Sequence, residues 1–166
     1  MKVYSRLGEG TTFKVLLPAM KEERNARDMA PAVDLFGTGT ILVIDDEETV
    51  RRTSKAALEQ YGYSVITADD GQQGLDLLRV LKDQISVVLL DMTMPIMSGE
   101  ETFRQIKLIR PDMKVILSSG FNEVEAVRRF TGKRLAGFLQ KPYTVRKLAE
   151  KVRAVLTSAE MIDPPA

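Results

Sequence analysis

The nine residues from Val87 to Pro95 constrain the fold of this chain more than any other stretch. Four consecutive apolar residues lead into Asp91, and a short turn that ends at Pro95 follows. An apolar run of this length, rich in β-branched residues and bounded by turn residues, is typical of a strand buried on both faces of a parallel sheet. Asp91 would then lie at the carboxyl end of this strand, where open α/β sheets bind their ligands.

The chain from residue 41 onward alternates short apolar segments with amphipathic segments. The connections are short, which favours an α/β fold: a doubly wound parallel sheet with helices on both faces. Gly62 ends the first helix, and Arg110-Pro111 ends the third. The predicted strands are Ile41 to Ile44, Ser64 to Ala68, Val87 to Leu90, Lys114 to Ser118 and Gly137 to Leu139, and the predicted helices are Glu48 to Tyr61, Gly71 to Leu81, Gly99 to Ile109, Glu123 to Phe130 and Val145 to Leu156.

Three further segments flank this region. Residues 1–18 read as two short strands around a turn. Residues 19–39 mix charges with Ala, Pro and Gly and have no apolar period, so we expect a flexible linker. The main domain would span residues 40–158, and residues 159–166 would be a disordered tail. A chain of 166 residues, 44% of them hydrophobic, is sufficient for one ordinary core.

The composition excludes several classes of site. The chain has no Cys, which excludes disulfides and thiolate metal sites, and no His to serve as ligand, base or phosphate carrier. It contains neither a signal peptide nor a long apolar span, so we expect a cytoplasmic protein without membrane contact. Basic residues predominate between Arg104 and Arg153 but lack interleaved aromatic residues. We therefore expect solvated helix faces and no nucleic-acid partner.

Polar residues follow four of the predicted strands. Asp45 and Asp46 end the first strand, Asp91 ends the third, Ser118 ends the fourth, and Lys141 follows the fifth. Parallel strands bring their carboxyl ends to one edge of a sheet, so these residues should meet there. Clustered carboxylates repel one another and need a hard cation or an ammonium group close by. We therefore expect Mg²⁺ at the acids, with the lysine beside them.

These residue types suit phosphoryl transfer. Asp91 can attack as a nucleophile and form an acyl phosphate, because Mg²⁺ neutralises charge that would repel the attack. The acidic pair would hold the metal together with Asp91 and the backbone carbonyl of Thr93, while Lys141 and the Ser118 hydroxyl would each bind a phosphoryl oxygen. Considered alone, the acidic pair has a second interpretation, as caps of the helix that follows.

Four motifs between Ile41 and Leu156 have a familiar order and spacing: ILVIDDE, VVLLDMTMPIMSG, VILSSG and FLQKPY. This region resembles a two-component response-regulator receiver domain. The resemblance implies a flavodoxin-like five-stranded sheet of order 2-1-3-4-5, Mg²⁺ binding and phosphorylation at Asp91. Ser118 replaces the commoner Thr, and Phe138 replaces the commoner Tyr at the aromatic switch position. A cis bond between Lys141 and Pro142 is also implied.

The same resemblance implies a switch and partners. A shift of Ser118 toward the phosphoryl group would open space for Phe138 to swing inward, which changes the surface of the predicted fourth helix, fifth strand and fifth helix. A phosphohistidine in a histidine kinase or phosphotransfer domain would be the donor, and a downstream phosphotransfer protein could be the acceptor. The receiver would catalyse its own phosphorylation and dephosphorylation, whereas this chain would lack kinase activity. The switching surface carries Arg128, Arg129, Lys133 and Arg134.

A second resemblance lies in residues 1–18. The segment SRLGEGTTFKVLLP is similar to the last glycine-rich box and closing strands of the histidine-kinase ATP-binding domain. This would be a remnant that cannot bind ATP by itself; the alternative is an ordinary hairpin of the following domain. The order of remnant, linker and receiver predicts the C-terminal receiver of a hybrid sensor histidine kinase.

Other functions share parts of this pattern. A flavodoxin-like cofactor binder would need a phosphate loop after the first strand, where the acids of DDEETVR would repel a phosphate. A phosphatase of the haloacid dehalogenase type would need an Asp two residues after Asp45, where Glu47 stands. A receiver-like scaffold that is never phosphorylated is the main alternative, and only the complete set of acids, hydroxyl and lysine argues against it.

Overall fold

The structure is a computed structural model that describes residues 2–8, 10–14, 35–81, 83–120, 130 and 135–158. It divides into two compact units, Met1–Val33 and Asp34–Ala166. The linker residues up to 34, the tail 159–166 and the predicted helix before Phe130 lie outside the described residues. Among the residues that the structure describes, none of the helices combines the length and apolarity needed to cross a membrane.

The first unit contains a β-hairpin. Strands β1 (Lys2–Arg6) and β2 (Gly10–Lys14) pair in antiparallel fashion, with Val3 opposite Phe13. Every described residue of the two strands is exposed. The two strands that the sequence pattern indicates are therefore confirmed, and their assignment to a kinase domain stays a prediction.

The second unit is a five-stranded parallel sheet with helices on both faces. Its strand order is β4-β3-β5-β6-β7, which is the predicted order 2-1-3-4-5 of an α/β fold. Observed and predicted bounds differ by at most two residues for every described element of this unit. The strands are β3 (Thr40–Ile44), β4 (Ser64–Ala68), β5 (Ile85–Asp91), β6 (Lys114–Ser119) and β7 (Gly137–Gln140), and the helices are α1 (Glu48–Gln60), α2 (Gly71–Leu81), α3 (Gly99–Ile109) and α4 (Val145–Thr157).

The central strands are buried on both faces. In β3, Leu42 and Ile44 face a cluster formed with α2 and α3, while Ile41 and Val43 face a second cluster formed with α1 and α4. The apolar residues of β5 alternate between the same two clusters. Because neither face meets solvent, these strands are continuously apolar, as parallel strands between helices are.

Short polar side chains bond backbone N–H groups at the start of α2, α3 and α4. The Ser98 hydroxyl accepts a hydrogen bond from the backbone N–H of Glu101 at the start of α3, and Thr144 caps α4 in the same way. Asp70 accepts from the backbone N–H of Gln73 before α2. These bonds satisfy amide groups that a helix leaves without a partner at its N-terminus. At the other end of α1, Gly62 has a φ of 87°.

Residues 35–39, just before β3, pack against the five-stranded sheet and its helices. Leu35 is buried, and its carbonyl oxygen accepts a hydrogen bond of 3.3 Å from the Tyr63 hydroxyl. The N–H of Gly37 donates to the carbonyl of Tyr61, and a Cβ at Gly37 would lie 2.5 Å from the hydroxyl oxygen of Tyr63. Although these residues fall within the predicted linker, they contact the folded unit.

One exposed residue in the loop after β5 has an unfavourable backbone. Ile96 has a φ of 61°, and its side chain is almost fully exposed. A β-branched residue is disfavoured in this left-handed region, whereas Asn tolerates it. We expect Ile96→Asn to raise the free energy of unfolding by about 1 kcal/mol in urea titrations. The control Ile96→Val keeps the β-branched side chain and should leave stability nearly unchanged; equal stability of all three proteins would contradict this account.

Candidate functional site

The carboxyl ends of the central strands bring four predicted site residues together. Asp45 follows β3, Asp91 ends β5, Ser118 lies near the end of β6, and Lys141 follows β7. The Lys141 Nζ lies 2.8 Å from Oδ2 of Asp45 and 3.0 Å from Oδ1 of Asp91. Lys141 lies 96 positions from Asp45 and 50 positions from Asp91 in the sequence, yet its single ammonium group contacts both carboxylates.

The three acids form a candidate metal centre. Carboxylate oxygens of Asp45, Asp46 and Asp91 all lie within 4.8 Å of one another. Asp45 and Asp91 are buried, whereas Asp46 is exposed to solvent. A cluster made only of carboxylate oxygens suits a hard divalent cation such as Mg²⁺, and its chemistry therefore fits the predicted cofactor.

The Asp45 side chain is held by its neighbours and does not cap the helix. Its Oδ1 accepts a hydrogen bond of 3.0 Å from the backbone N–H of Glu47, and its other oxygen accepts from Lys141. The N-cap of α1 is Glu47, which makes no side-chain capping bond. The interpretation of the acidic pair as caps of α1 is therefore wrong.

Burial and the ion pairs have opposite effects on the pKa values of Asp91 and Lys141. Burial raises the pKa of the Asp91 carboxyl above its ordinary value, although hydrogen bonds from Lys141 and from the backbone N–H of Thr93 lower it in part. Burial alone would lower the pKa of Lys141, but its hydrogen bonds to Asp45 and Asp91 outweigh that effect and raise the pKa. The lysine is thus held in its charged form between the two acids.

The Ser118 hydroxyl is buried beside the acids, and no described residue forms a hydrogen bond with it. Ser118 lies opposite Asp91 in the register of β5 and β6 and is 1% exposed. Its Oγ has no hydrogen-bond partner among the described residues. A buried hydroxyl without a partner is costly, so a group that brought acceptor oxygens to Asp91 would satisfy it.

The remaining predicted residues have the following positions. The side chain of Thr93 is exposed, and Phe138 is 6% exposed within the cluster that also contains Phe103 and Phe130. The Phe138 ring is therefore already buried in this structure. The bond between Lys141 and Pro142 is cis, as the resemblance implied. The basic residues of the expected switching surface, 128, 129, 133 and 134, lie outside the described residues.

Sequence reasoning missed one side chain at this site. The Arg51 Nη1 donates a hydrogen bond of 2.7 Å to the backbone carbonyl oxygen of Asp45. The contact joins the first turn of α1 to the end of β3. An Arg at this distance along an amphipathic helix gives no signal in the sequence, because most such residues extend into solvent.

Comparison with known proteins identifies the domain. The family model of the response regulator receiver domain matches residues 41–153. The chain belongs to the response regulator receiver family. Receiver domains bind Mg²⁺ at an acidic pocket, and the receiver described here has its three acids at the corresponding sheet edge. Its strand order and site geometry agree with this membership.

Individual relatives support the same conclusion. The receiver and most of the preceding sequence are similar to "Sensor kinase CckA" of Brucella abortus, with 35% identity over 161 residues, 92% of this chain and 17% of that protein. A receiver domain protein of Clostridium thermocellum has 34% identity and a TM-score of 0.67, over 71% of this chain and 94% of that one. The regulator TrrA of Thermotoga maritima, solved in complex with Mg²⁺ and BeF, has 29% identity and a TM-score of 0.62, over 71% and 99% of the two chains.

Proposed function

We propose that this receiver accepts a phosphoryl group from a phosphohistidine onto Asp91, with Mg²⁺ as cofactor. The observation that carries the proposal is the shared contact of Lys141 with Asp45 and Asp91. It sets an ammonium group beside a buried carboxylate, and burial disfavours the negative charge of this group and raises its pKa. Cations bound beside such a carboxylate stabilise its negative charge.

The reaction would be a direct displacement at phosphorus. An oxygen of the Asp91 carboxylate attacks, the bond between phosphorus and the donor's imidazole nitrogen breaks, and that nitrogen keeps the electron pair. Bound Mg²⁺ would neutralise charge on the oxygens around phosphorus. Lys141 and the Ser118 hydroxyl would each bind one phosphoryl oxygen, which gives the hydroxyl an acceptor that no described residue supplies.

The metal would be held by oxygen ligands of this chain. We assign Asp45, Asp46 and Asp91 as the acidic ligands, supported by the mutual approach of their oxygens. The backbone carbonyl of Thr93 would supply a further oxygen. The backbone N–H of Thr93 lowers the pKa of the Asp91 carboxyl, so this part of the loop lies beside the site.

Switching would follow from the Ser118 hydroxyl moving onto the phosphoryl group. Phe138 would then repack in its cluster and alter the surface formed by the region before β7, β7 and α4. This surface would be read by partner proteins. A histidine kinase or phosphotransfer domain would supply the phosphohistidine, because this chain contains no His, and a downstream phosphotransfer protein is the expected acceptor.

A hybrid sensor histidine kinase would be the parent protein. The similarity to the Brucella abortus sensor kinase extends over 92% of the chain and so reaches beyond the receiver. The chain spans only 17% of that protein and about half of other curated relatives. An extended protein that includes upstream segments should therefore show ATP-dependent labelling of Asp91. Absence of such labelling in a protein that remains competent with acetyl phosphate would contradict the hybrid origin alone.

The central test uses acetyl phosphate as the donor. With Mg²⁺, intact mass spectrometry should show one added phosphoryl group on the wild-type chain, and none on Asp91→Asn or after chelation of the metal. Asp112→Asn is the matched control, because Asp112 is an exposed acid outside the cluster; it should be labelled like the wild type. A wild-type chain that remains unlabelled would favour the receiver-like scaffold.

A further inference from the structure

Arg51 connects α1 to the peptide that joins two of the metal-site acids. Its Nη1 donates 2.7 Å to the backbone carbonyl oxygen of Asp45, and its own backbone N–H donates 3.1 Å to the carbonyl of Glu47. The carbonyl of Asp45 belongs to the peptide between Asp45 and Asp46. The guanidinium is planar and rigid, so the bond limits rotation of this peptide.

Asp46 depends on that peptide for its orientation. Asp45 and Asp91 are each fixed by Lys141. Asp46 is exposed, and within the described part of the chain its carboxylate makes no hydrogen bond or ion pair. Nothing but the main chain therefore directs it toward the other two carboxylates, although its oxygen lies within 4.8 Å of theirs.

We propose that Arg51 is a positioning residue for the Mg²⁺ site, and that it acts by holding the Asp45–Asp46 peptide so that Asp46 faces the metal. This inference rests on the proposed function. Residues that orient metal ligands from outside the coordination sphere typically change metal affinity by about 10-fold to 100-fold when replaced.

The sign of the effect distinguishes orientation from charge. A cation beside three carboxylates repels a second cation, so a purely electrostatic role would make Mg²⁺ bind more tightly when Arg51 is neutralised. An orienting role predicts the opposite, because Asp46 would then sample directions that do not face the metal. The two roles cannot be confused in a binding measurement.

The experiment measures Mg²⁺ binding by isothermal titration calorimetry with the metal alone. We expect Arg51→Met to raise the dissociation constant for Mg²⁺ about 10-fold. The matched control is Arg52→Met, since Arg52 is the exposed neighbour on α1 and should bind Mg²⁺ like the wild type. In labelling with acetyl phosphate, Arg51→Met should need more Mg²⁺ for half-maximal rate and reach a rate within about 2-fold of wild type at saturating Mg²⁺.

Each outcome decides the inference. The inference is wrong if Arg51→Met binds Mg²⁺ as tightly as the wild type or more tightly. It is also wrong if Arg52→Met loses as much Mg²⁺ affinity as Arg51→Met does. If thermal unfolding shows that Arg51→Met does not fold, Arg51→Lys decides, because Lys keeps the charge without the planar fork: weaker Mg²⁺ binding supports the inference, and unchanged binding overturns it. A wild-type chain that binds no Mg²⁺ would instead overturn the proposed function and the inference with it.

Discussion

Replacement of Lys141 by Met should lower the free energy of unfolding by about 2–3 kcal/mol at neutral pH and slow labelling by acetyl phosphate by at least about 10-fold. The physical reason is that Asp45 and Asp91, whose side chains are 4% and 6% exposed, would keep buried charges without their shared cation. The expected loss of stability is smaller than for a fully buried ion pair, because the side chain of Lys141 is 22% exposed. Urea titration measures the stability, and intact mass measures the labelling rate.

The pH dependence of this loss has a defined sign. The pKa of Lys141 is raised in the folded state, so its stabilisation is fully present below the ordinary value of 10.5 and is lost as pH rises through the raised pKa. The difference between wild type and Lys141→Met should therefore disappear in strongly alkaline solution. It should also shrink in acid, because the raised pKa of Asp91 lets that carboxyl become neutral as pH falls.

Two controls complete this prediction. Lys147→Met removes an exposed lysine from α4 and should change stability by less than about 0.5 kcal/mol. Mg²⁺ should restore part of the stability of Lys141→Met, because a bound cation replaces the missing ammonium. A Lys141→Met protein as stable as the wild type, at every pH tested, would show that the shared ion pair contributes nothing.

Gly99→Ala should be similarly destabilising, and its effect should reach Asp91. A Cβ at Gly99 would overlap the carbonyl oxygen of Asp91 and lie 2.6 Å from the Cα of Met92. Both are backbone atoms of the strand end that carries the site, so they cannot yield as a flexible side chain would. We expect a loss of about 2–3 kcal/mol in the free energy of unfolding and slower labelling at saturating Mg²⁺.

The matched control for this substitution is Gly120→Ala. Gly120 follows β6 at the same edge of the sheet, and apart from its chain neighbours no atom of the described residues lies within 4 Å of the position its Cβ would take. Loss of glycine there restricts the unfolded chain, so the expected change is between zero and a gain of about 1 kcal/mol. If both alanine variants had the same stability, close packing at Gly99 would not be the cause. Labelling at wild-type rate in Gly99→Ala would show that Asp91 is not displaced.

The periodicity of the chain determined most of the receiver fold. Apolar runs such as Val87 to Leu90 indicated strands between two helical layers, and the amphipathic segments indicated helices whose described bounds agree with the structure. These features are local, because burial on both faces demands continuous apolar residues and burial on one face of a helix demands a repeat of 3.6. The turn residues near the N-terminus likewise predicted the pairing of β1 with β2.

The site could be predicted as a set of residues but not as a geometry. The sequence located acids, hydroxyl and lysine at strand ends, since a parallel fold brings those ends to one edge. It could not show that the ammonium group of Lys141 contacts both Asp45 and Asp91, or that the Ser118 hydroxyl has no hydrogen-bond partner among the described residues. Those facts depend on distances between strands that are remote in the chain.

By itself, then, the sequence determined the alternation of strands and helices, the order of the domain's motifs and the residue types available for phosphoryl transfer. Only the tertiary structure decided which carboxylates share a cation, that Arg51 bonds the peptide between Asp45 and Asp46, and that Gly99 packs against the backbone of Asp91. The physical reason is that secondary structure follows from neighbours along the chain, whereas hydrogen bonds and close contacts at the site follow from how separate elements pack in space.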